Sequence, residues 1–494
     1  MGILSAILWT PAMGALLLAL IPDRDQDFTR ALGRFFAGIT VLFTCYLLFS
    51  YDQRDAGLQF NEYFAINPKV GSAYALGVDG LSLPMVALAT LLTSIALLAS
   101  SGINIGVKGY HISILLTEFG MLGVFLAQDW SLFYIFWEAT LIPMFFLIDR
   151  WGGQRRQTAS LNFVLYTMGG SIFMLVSLIA VYQYVPEHVS LMSAMSRVSE
   201  TMPKDQQIWA FLGFLIGFGV KMPIFPLHGW LPLAHVEAPS PVSILLSGIL
   251  LKMGAYGLLR VVVLLPTAAL ALQSLLVFLA LFGMIYGGLL AWRQSDLKAM
   301  VAYSSISHMG IVLLGIATLN ETGFTGAVLQ MSAHGLIAGA LFLVVGLLYE
   351  RTHTRNIQDY SSLVQVMPRF AFCTTITLLA AMGMPGTVGA VAELHAMVGG
   401  FRQWGGLMVF FSLAILISTA YAIRTIGLLF TGPVKPQMKQ IEDLRPPELL
   451  ALGVLVGGIV LFGLLPASLV DLSAATTSHM NSLIRLRILE GSDA

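Results

Sequence analysis

Charge is what this sequence has least of. Of 494 residues only 11% are Asp, Glu, Lys or Arg, while 57% are hydrophobic, and the mean hydropathy is +0.82. Soluble domains carry roughly 25% charged residues, so a water-soluble enzyme is excluded. Cysteine is nearly missing as well. Cys45 and Cys373 both fall in apolar segments and supply neither a disulfide framework nor metal-ligand spacing. The sequence also lacks a phosphate-cradling glycine loop, a nucleophile constellation and a zinc or carbonic-anhydrase pattern, so it offers no groups for redox or nucleotide chemistry. A formal net charge of zero leaves no electrostatic footprint for nucleic acid. The first apolar run, residues 3–21, lacks a basic leader and a cleavage site, and reads as a retained helix, not a signal peptide.

What is present is apolar sequence. Runs of about 20 such residues, enough to span a bilayer, recur from end to end. The expected fold is an all-α polytopic membrane protein. Fourteen spanning helices are predicted near 3–21, 33–50, 82–103, 111–128, 130–149, 162–184, 208–225, 243–264, 270–291, 299–318, 324–348, 370–398, 407–430 and 448–470. The longest polar interruptions, 51–80, 185–207, 349–369 and 431–447, are too short for a soluble domain. Any nucleotide or redox domain therefore belongs to another chain. With fourteen spans, the loops on the side of the termini hold eight Lys or Arg, and those on the other side hold fifteen, from Arg24 to Arg445. The cation-rich side is normally cytoplasmic, which puts both termini on the non-cytoplasmic face.

Two predicted helices are interrupted. The seventh ends in "VKMPIFP", and the twelfth contains "GMPGTVGAVAEL". Proline removes a helical hydrogen bond and clashes with the preceding turn, and inside a membrane such a break is tolerated only against protein or a wet cavity. Each break falls in the fourth helix of a run of five, helices 4–8 and 9–13, and each stands beside an ionisable residue. Paired interruptions of this kind point to an inverted repeat with a site near the midplane. The chain divides accordingly into residues 1–110, a first repeat over 111–264, a second over 270–430, and 431–494.

Ionisable residues inside the spans carry the chemistry. A charge at the bilayer centre costs about 2.5–3.5 kcal/mol even on a permissive scale. The first half holds Glu118, Glu138, Lys221 and Lys252, and the second half His308, His334, Glu393 and Arg424. Acid, lysines, histidines and acid on successive helices can pass protons laterally, because burial and neighbouring charges bring their protonation equilibria together. Each has a plainer reading. Arg424 stands near a helix end and suits snorkelling to the interface. Glu118 suits a buried, satisfied acid or one facing another chain, and Lys221 with Glu138 suits a static ion pair. His228 and His235 lie in the connection after the broken helix and suit a role in fixing that loop; Asp79 suits a cap on the third helix.

The motifs "FWEATLIPMFFLIDRWGG", "VKMPIFPLHGWLP", "GILLKMGAYGLLR", "DLKAMVAYSSISHMG" and "MPGTVGAVAEL", in this order over residues 75–430, together resemble the antiporter-like NuoM/NdhD-type subunit of complex I-type NAD(P)H or ferredoxin:quinone oxidoreductases. The resemblance implies fourteen helices, inverted five-helix repeats, and proton movement coupled to electron transfer in other subunits. It implies that Glu138 modulates Lys221, that Lys252 connects, that His308 and His334 relay, and that Glu393 ends the row. No cofactor is expected in this chain; quinone and iron–sulfur clusters would belong to partner subunits, among them sister antiporter-like subunits. "LYTMGGSIFML" and "AVAEL" look closer to cyanobacterial and chloroplast forms than to respiratory ones, hence a thylakoid or bacterial inner membrane. Leu233 replaces an acid the family usually has, and Ala390 an aromatic; the former leans toward copies specialised for CO2 uptake. A cation/proton antiporter subunit of the Mrp type and a non-pumping membrane segment are the alternatives.

Overall fold

Helices form where the apolar runs stand, because in a bilayer core every backbone N–H and C=O must find its partner within the segment. The computed structural model describes residues 2–490 except 23–24, 70 and 186–187; Arg24, one of the loop cations counted above, lies outside the described residues. The chain opens with α1 (Ile3–Leu20) and α2 (Gln26–Ser50), followed by an antiparallel hairpin of β1 (Gln59–Asn67) and β2 (Ser72–Val78). Then come α3 (Ser82–Leu98), α4 (Val107–Leu126), α5 (Trp130–Ala139), α6 (Leu141–Trp151) and α7 (Arg156–Tyr182). A short α8 (Met192–Met195) precedes α9 (Lys204–Lys221), α10 (Trp230–Glu237), α11 (Ser240–Leu245) and α12 (Leu251–Leu264). The second half holds α13 (Pro266–Ala271), α14 (Gln273–Arg293), α15 (Leu297–Ala317), α16 (Glu321–Thr352), α17 (Leu363–Val366), α18 (Pro368–Ala381), α19 (Val388–Trp404) and α20 (Val409–Phe430). The chain closes with α21 (Pro446–Leu464) and α22 (Ala467–Glu490).

Among the described residues, 12 segments are long and apolar enough to cross a membrane, not the fourteen predicted. The difference sits in the two halves' broken regions. α9 is not among the 12, and α19 and α20 count as one span, Val388–Phe430, although the chain turns between them at Gly405, where φ is 53°. The predicted helix 370–398 is divided: α18 ends at Ala381 and α19 starts at Val388. Two polar stretches also take structure that hydropathy does not reveal. Residues 51–80 hold the hairpin, and most of the tail beyond residue 470 is the helix α22. Several cations counted in loops, Arg30, Arg34, Arg260 and Lys298, lie inside α2, α12 and α15 near their ends.

Hydrogen bonds sort the ends of the bundle into two faces. On one, the backbone N–H groups of Gly2 and Ser5 donate to Glu62 of β1 at 3.2 and 3.0 Å, and the N–H of Gly80 donates to Thr476 of α22 at 3.0 Å. There Asp79 does cap α3, accepting from the N–H groups of Leu81 and Ser82, both at 3.1 Å. It also receives a two-pronged bond from Arg260 at 2.7 and 2.9 Å. At the other face Arg30 reaches Asn104 at 2.9 Å, and Arg351 pairs with Glu448 at 2.5 Å. Most of the segment from α11 to α12 and α16 between Gly323 and Leu348 are enclosed by the other helices, whereas α2, α7 and α21 expose much of their surface. Close packing of the two central elements rests on small residues: a Cβ on Gly335 would lie 3.0 Å from the Gly248 carbonyl oxygen. The protein's centre is thus where α16 meets the segment that joins α11 to α12.

Candidate proton-transfer site

Lys221 is the last residue of α9. Pro223 and Pro226 prevent the helix from continuing, and the freed Val220 carbonyl accepts the Trp230 indole N–H at 2.8 Å. The Lys221 ammonium donates to Thr140 Oγ1 at 3.0 Å and stands 4.2 Å from the centre of the Trp137 ring. Thr140 lies at the joint between α5 and α6, three residues before Pro143. Glu138 acts on Lys221 electrostatically, yet the direct ion pair entertained from the sequence is not formed, and Glu138 Oε1 is buried without a partner.

The second group is continuous. Between α11 and α12 the backbone widens into a π turn, Leu246–Leu250, a feature that recurs at functional sites. Lys252 follows it, donating to the Ser247 carbonyl and meeting His334 Nδ1, each at 2.6 Å. The rings of His334 and His308 are 5.5 Å apart, and His308 Nδ1 is 3.8 Å from Glu393 Oε1. Gln330 Nε2 approaches the same His308 nitrogen at 3.4 Å. Glu393 packs on the break between α18 and α19. Gly383 there has φ of 74°, and a Cβ on it would collide with Glu393 Oε2; only glycine meets both demands. A cavity of about 10 Å³ beside His308, Glu393, Ser307 and Ser418 has room for about one water.

Lys221, Lys252, His308, His334 and Glu393 are each at most 6% exposed, so a proton on any of them reaches water only through protein groups or enclosed water. His308 Nε2, His334 Nε2 and Gln330 Oε1 are buried with no partner, which marks where such water would bond. The six residues singled out by sequence form two clusters. Glu138 and Lys221 make one; Lys252, His334, His308 and Glu393 make the other. Among the described residues no hydrogen bond joins them, and Phe218, which packs on Trp137 at 5.4 Å between ring centres and against Gly257 of α12, stands between α5 and α12.

Sequence reasoning missed Thr140, Ser247 and Gln330. The first follows Glu138 by two residues in "WEAT" and was open to notice; the π turn that exposes the Ser247 carbonyl leaves no mark in the sequence. Arg424 bonds the Trp292 carbonyl at the end of α14, in keeping with an end-of-helix role. His228 stacks on Phe225 at 5.7 Å and meets Tyr286 edge-on at 5.3 Å, while His235 stacks on Phe342 at 4.6 Å with both ring nitrogens unpartnered. Leu233, in place of the expected acid, is partly buried against the hydrophobic core.

Known proteins share this fold. The family pattern described as "NADH:quinone oxidoreductase/Mrp antiporter, TM" matches residues 127–418. The "NAD(P)H-quinone oxidoreductase chain 4 1" of Synechococcus elongatus is 39% identical over 98% of this chain and 92% of its own length. The "NADH-quinone oxidoreductase subunit M" of Rhodobacter capsulatus is 37% identical over 97% of this chain and 96% of its own. In the solved "Respiratory complex I from Thermus thermophilus with bound NADH", one chain superposes with a TM-score of 0.88 at 31% identity, covering 98% of this chain and 99% of that one. This integral, multi-pass membrane protein belongs to the NADH:quinone oxidoreductase/Mrp antiporter family, as a NuoM/NdhD-type subunit.

Proposed function

We propose that this chain is a proton-translocating membrane subunit of a complex I-type NAD(P)H or ferredoxin:quinone oxidoreductase, with Glu138, Lys221, Lys252, His308, His334 and Glu393 transferring the protons. The observation that carries the reading is the buried sequence Lys252–His334–His308–Glu393, in which successive groups stand 2.6 Å, 5.5 Å between ring centres, and 3.8 Å apart. Each gap is a direct hydrogen bond or is short enough for one intervening water. Lys221 and Glu138 form a separate loading station, and a proton moves between the clusters when the aromatic wall around Phe218 admits water.

The electron-transfer chemistry, the quinone and the iron–sulfur clusters belong to other subunits, and sister antiporter-like subunits flank this one. The Synechococcus relative supports a photosynthetic membrane. The cation-rich face faces the cytoplasm, which leaves the N-terminus, hairpin and α22 on the periplasmic or lumenal side. Residues 111–264 and 270–430 serve as the two related transfer units, with 1–110 and 431–494 as their flanks.

The test is Lys221→Ala and, separately, Lys252→Ala in the assembled complex, with quinone reduction and acidification of inside-out vesicles followed together. Both variants are expected to lose proton uptake while the complex still assembles. Native proton uptake in either would overturn the assignment.

A further inference from the structure

One buried acid has no place in the row described above. Glu118 of α4 is fully buried, and neither of its carboxyl oxygens has a partner. Seven residues earlier, two turns and about 10 Å back on the same face of the helix, His111 is buried too. Its Nδ1 meets the Val107 carbonyl at 2.8 Å, and its Nε2 is unpartnered.

The neighbouring helices line this face with hydroxyls. The buried side of α2 is Thr29, Gly33, Ala37, Thr40, Thr44 and Leu47. Gly33 lies against the His111 ring, where a Cβ would come within 2.8 Å of Cδ2. α2 and α4 start at the same end of the bundle, because Arg30 bonds the Ile103 carbonyl and the Asn104 side chain just ahead of α4. The two helices therefore run in parallel, and Thr40, seven residues beyond Gly33, stands level with Glu118. α3 runs the opposite way, its Leu97 carbonyl accepting from Arg34 at 3.4 Å, which brings Thr90, Thr93 and Ser94 to the same depth. Ser94 Oγ is also buried and unpartnered.

A cavity lies at the end of this seam where α2 and α4 begin, its wall including the apolar Leu98, Leu343 and Leu347. Its volume of about 270 Å³, lined also by Arg34, Ser101, Arg445 and Glu448, is enough for several waters. Arg30 and Arg34 are close enough to act electrostatically on the His111 ring, and they are the charges at the mouth of the seam. Among the described residues Glu118 forms no ion pair.

We propose that Glu118 is a further protonation site of this chain, outside both clusters, exchanging its proton through His111 with the face at which α2 and α4 begin. A lone carboxyl among single hydroxyls suits a proton; a hard metal cation requires six or more converging oxygens. This goes beyond the six-residue row, and its test does not depend on pumping through that row.

The experiment is infrared difference spectroscopy on the complex in its native membrane, transferred from H2O to D2O. A carboxylic C=O band that shifts in D2O is expected to vanish in Glu118→Gln and to move in Glu118→Asp, which keeps a carboxyl. His111→Ala is expected to slow the D2O shift severalfold, whereas Lys221→Ala leaves it at the native rate. If Glu118→Gln does not accumulate, Glu118→Asp carries the assignment by its band position. The proposal is overturned by an unchanged spectrum in both Glu118 variants, by a band that does not exchange, or by native exchange in His111→Ala.

Discussion

Thr140 offers the sharpest test of how Lys221 holds its proton. The Lys221 ammonium is 1% exposed and has two direct contacts, the Thr140 hydroxyl at 3.0 Å and the Trp137 ring at 4.2 Å. Thr140→Val keeps the shape of the side chain and removes only the oxygen. A hydrogen bond to a charged group is worth about 1.5–3 kcal/mol, and no bulk water reaches this site to replace it. Protonated Lys221 is an intermediate of the proposed relay, so the step through it is expected to slow about 10- to 150-fold. The Trp137 contact, worth about 2 kcal/mol when desolvated, keeps the residual activity above that of Lys221→Ala. The assay is vesicle acidification with quinone reduction measured in parallel. Thr140→Ser provides the control: it restores the hydroxyl but loses the methyl that packs on Gly120, at a cost in stability of about 0.8 kcal/mol and with little effect on pumping. Native proton uptake in Thr140→Val would refute the reasoning, as would an equal loss in Thr140→Ser.

Three further outcomes are expected. Gly383→Ala places a side chain at φ of 74°, costing about 1–2 kcal/mol. It also drives Glu393 Oε2 from its position, so proton uptake should fall more than the melting temperature of the complex implies; unchanged uptake would show that the position of Glu393 is immaterial. Asp79→Ala removes one partner of the buried pair with Arg260, and thermal melting should report a loss of about 3–5 kcal/mol. Asp79 also fixes a pH dependence. Burial pushes its carboxyl up, but the Arg260 guanidinium and the Ser82 and Leu81 N–H groups together outweigh this and hold it below the usual carboxylate range. A group depressed in the folded state contributes stability that is complete above its unfolded value, about pH 4, and is lost as the pH falls through the folded value. Acid melting curves should show this loss in the native chain and lack it in Asp79→Ala.

The sequence by itself determined the class of protein and where its buried ionisable groups lie. Long uncharged runs must become helices, because a bilayer offers the backbone no other partner, and a Glu, Lys or His inside such a run is too costly to retain without a use or a partner. Glu138, Lys221, Lys252, His308, His334 and Glu393 could therefore be named from local sequence, as could the breaks at Pro223 and at Pro385–Gly386. Hydropathy said nothing of the hairpin in residues 51–80 or of α22, since both lie in polar stretches where the membrane imposes no rule.

Tertiary structure alone decided which of these groups meet. Residues 82 positions apart, Lys252 and His334, touch at 2.6 Å because small residues let α16 approach the π turn. Lys221, only 31 positions before Lys252, belongs to a different cluster because α5 supplies its partners and the aromatic ring of Phe218 lies between. Direction and distance between helices depend on how side chains interlock across the whole bundle, and no local pattern of residues encodes that. For the same reason, Glu118 looked like one more buried acid in the sequence. The seven-residue spacing on α4 sets His111 on its face, but only the parallel packing of α2 and α4 brought Arg34 to the mouth of that seam and a line of hydroxyls to its depth.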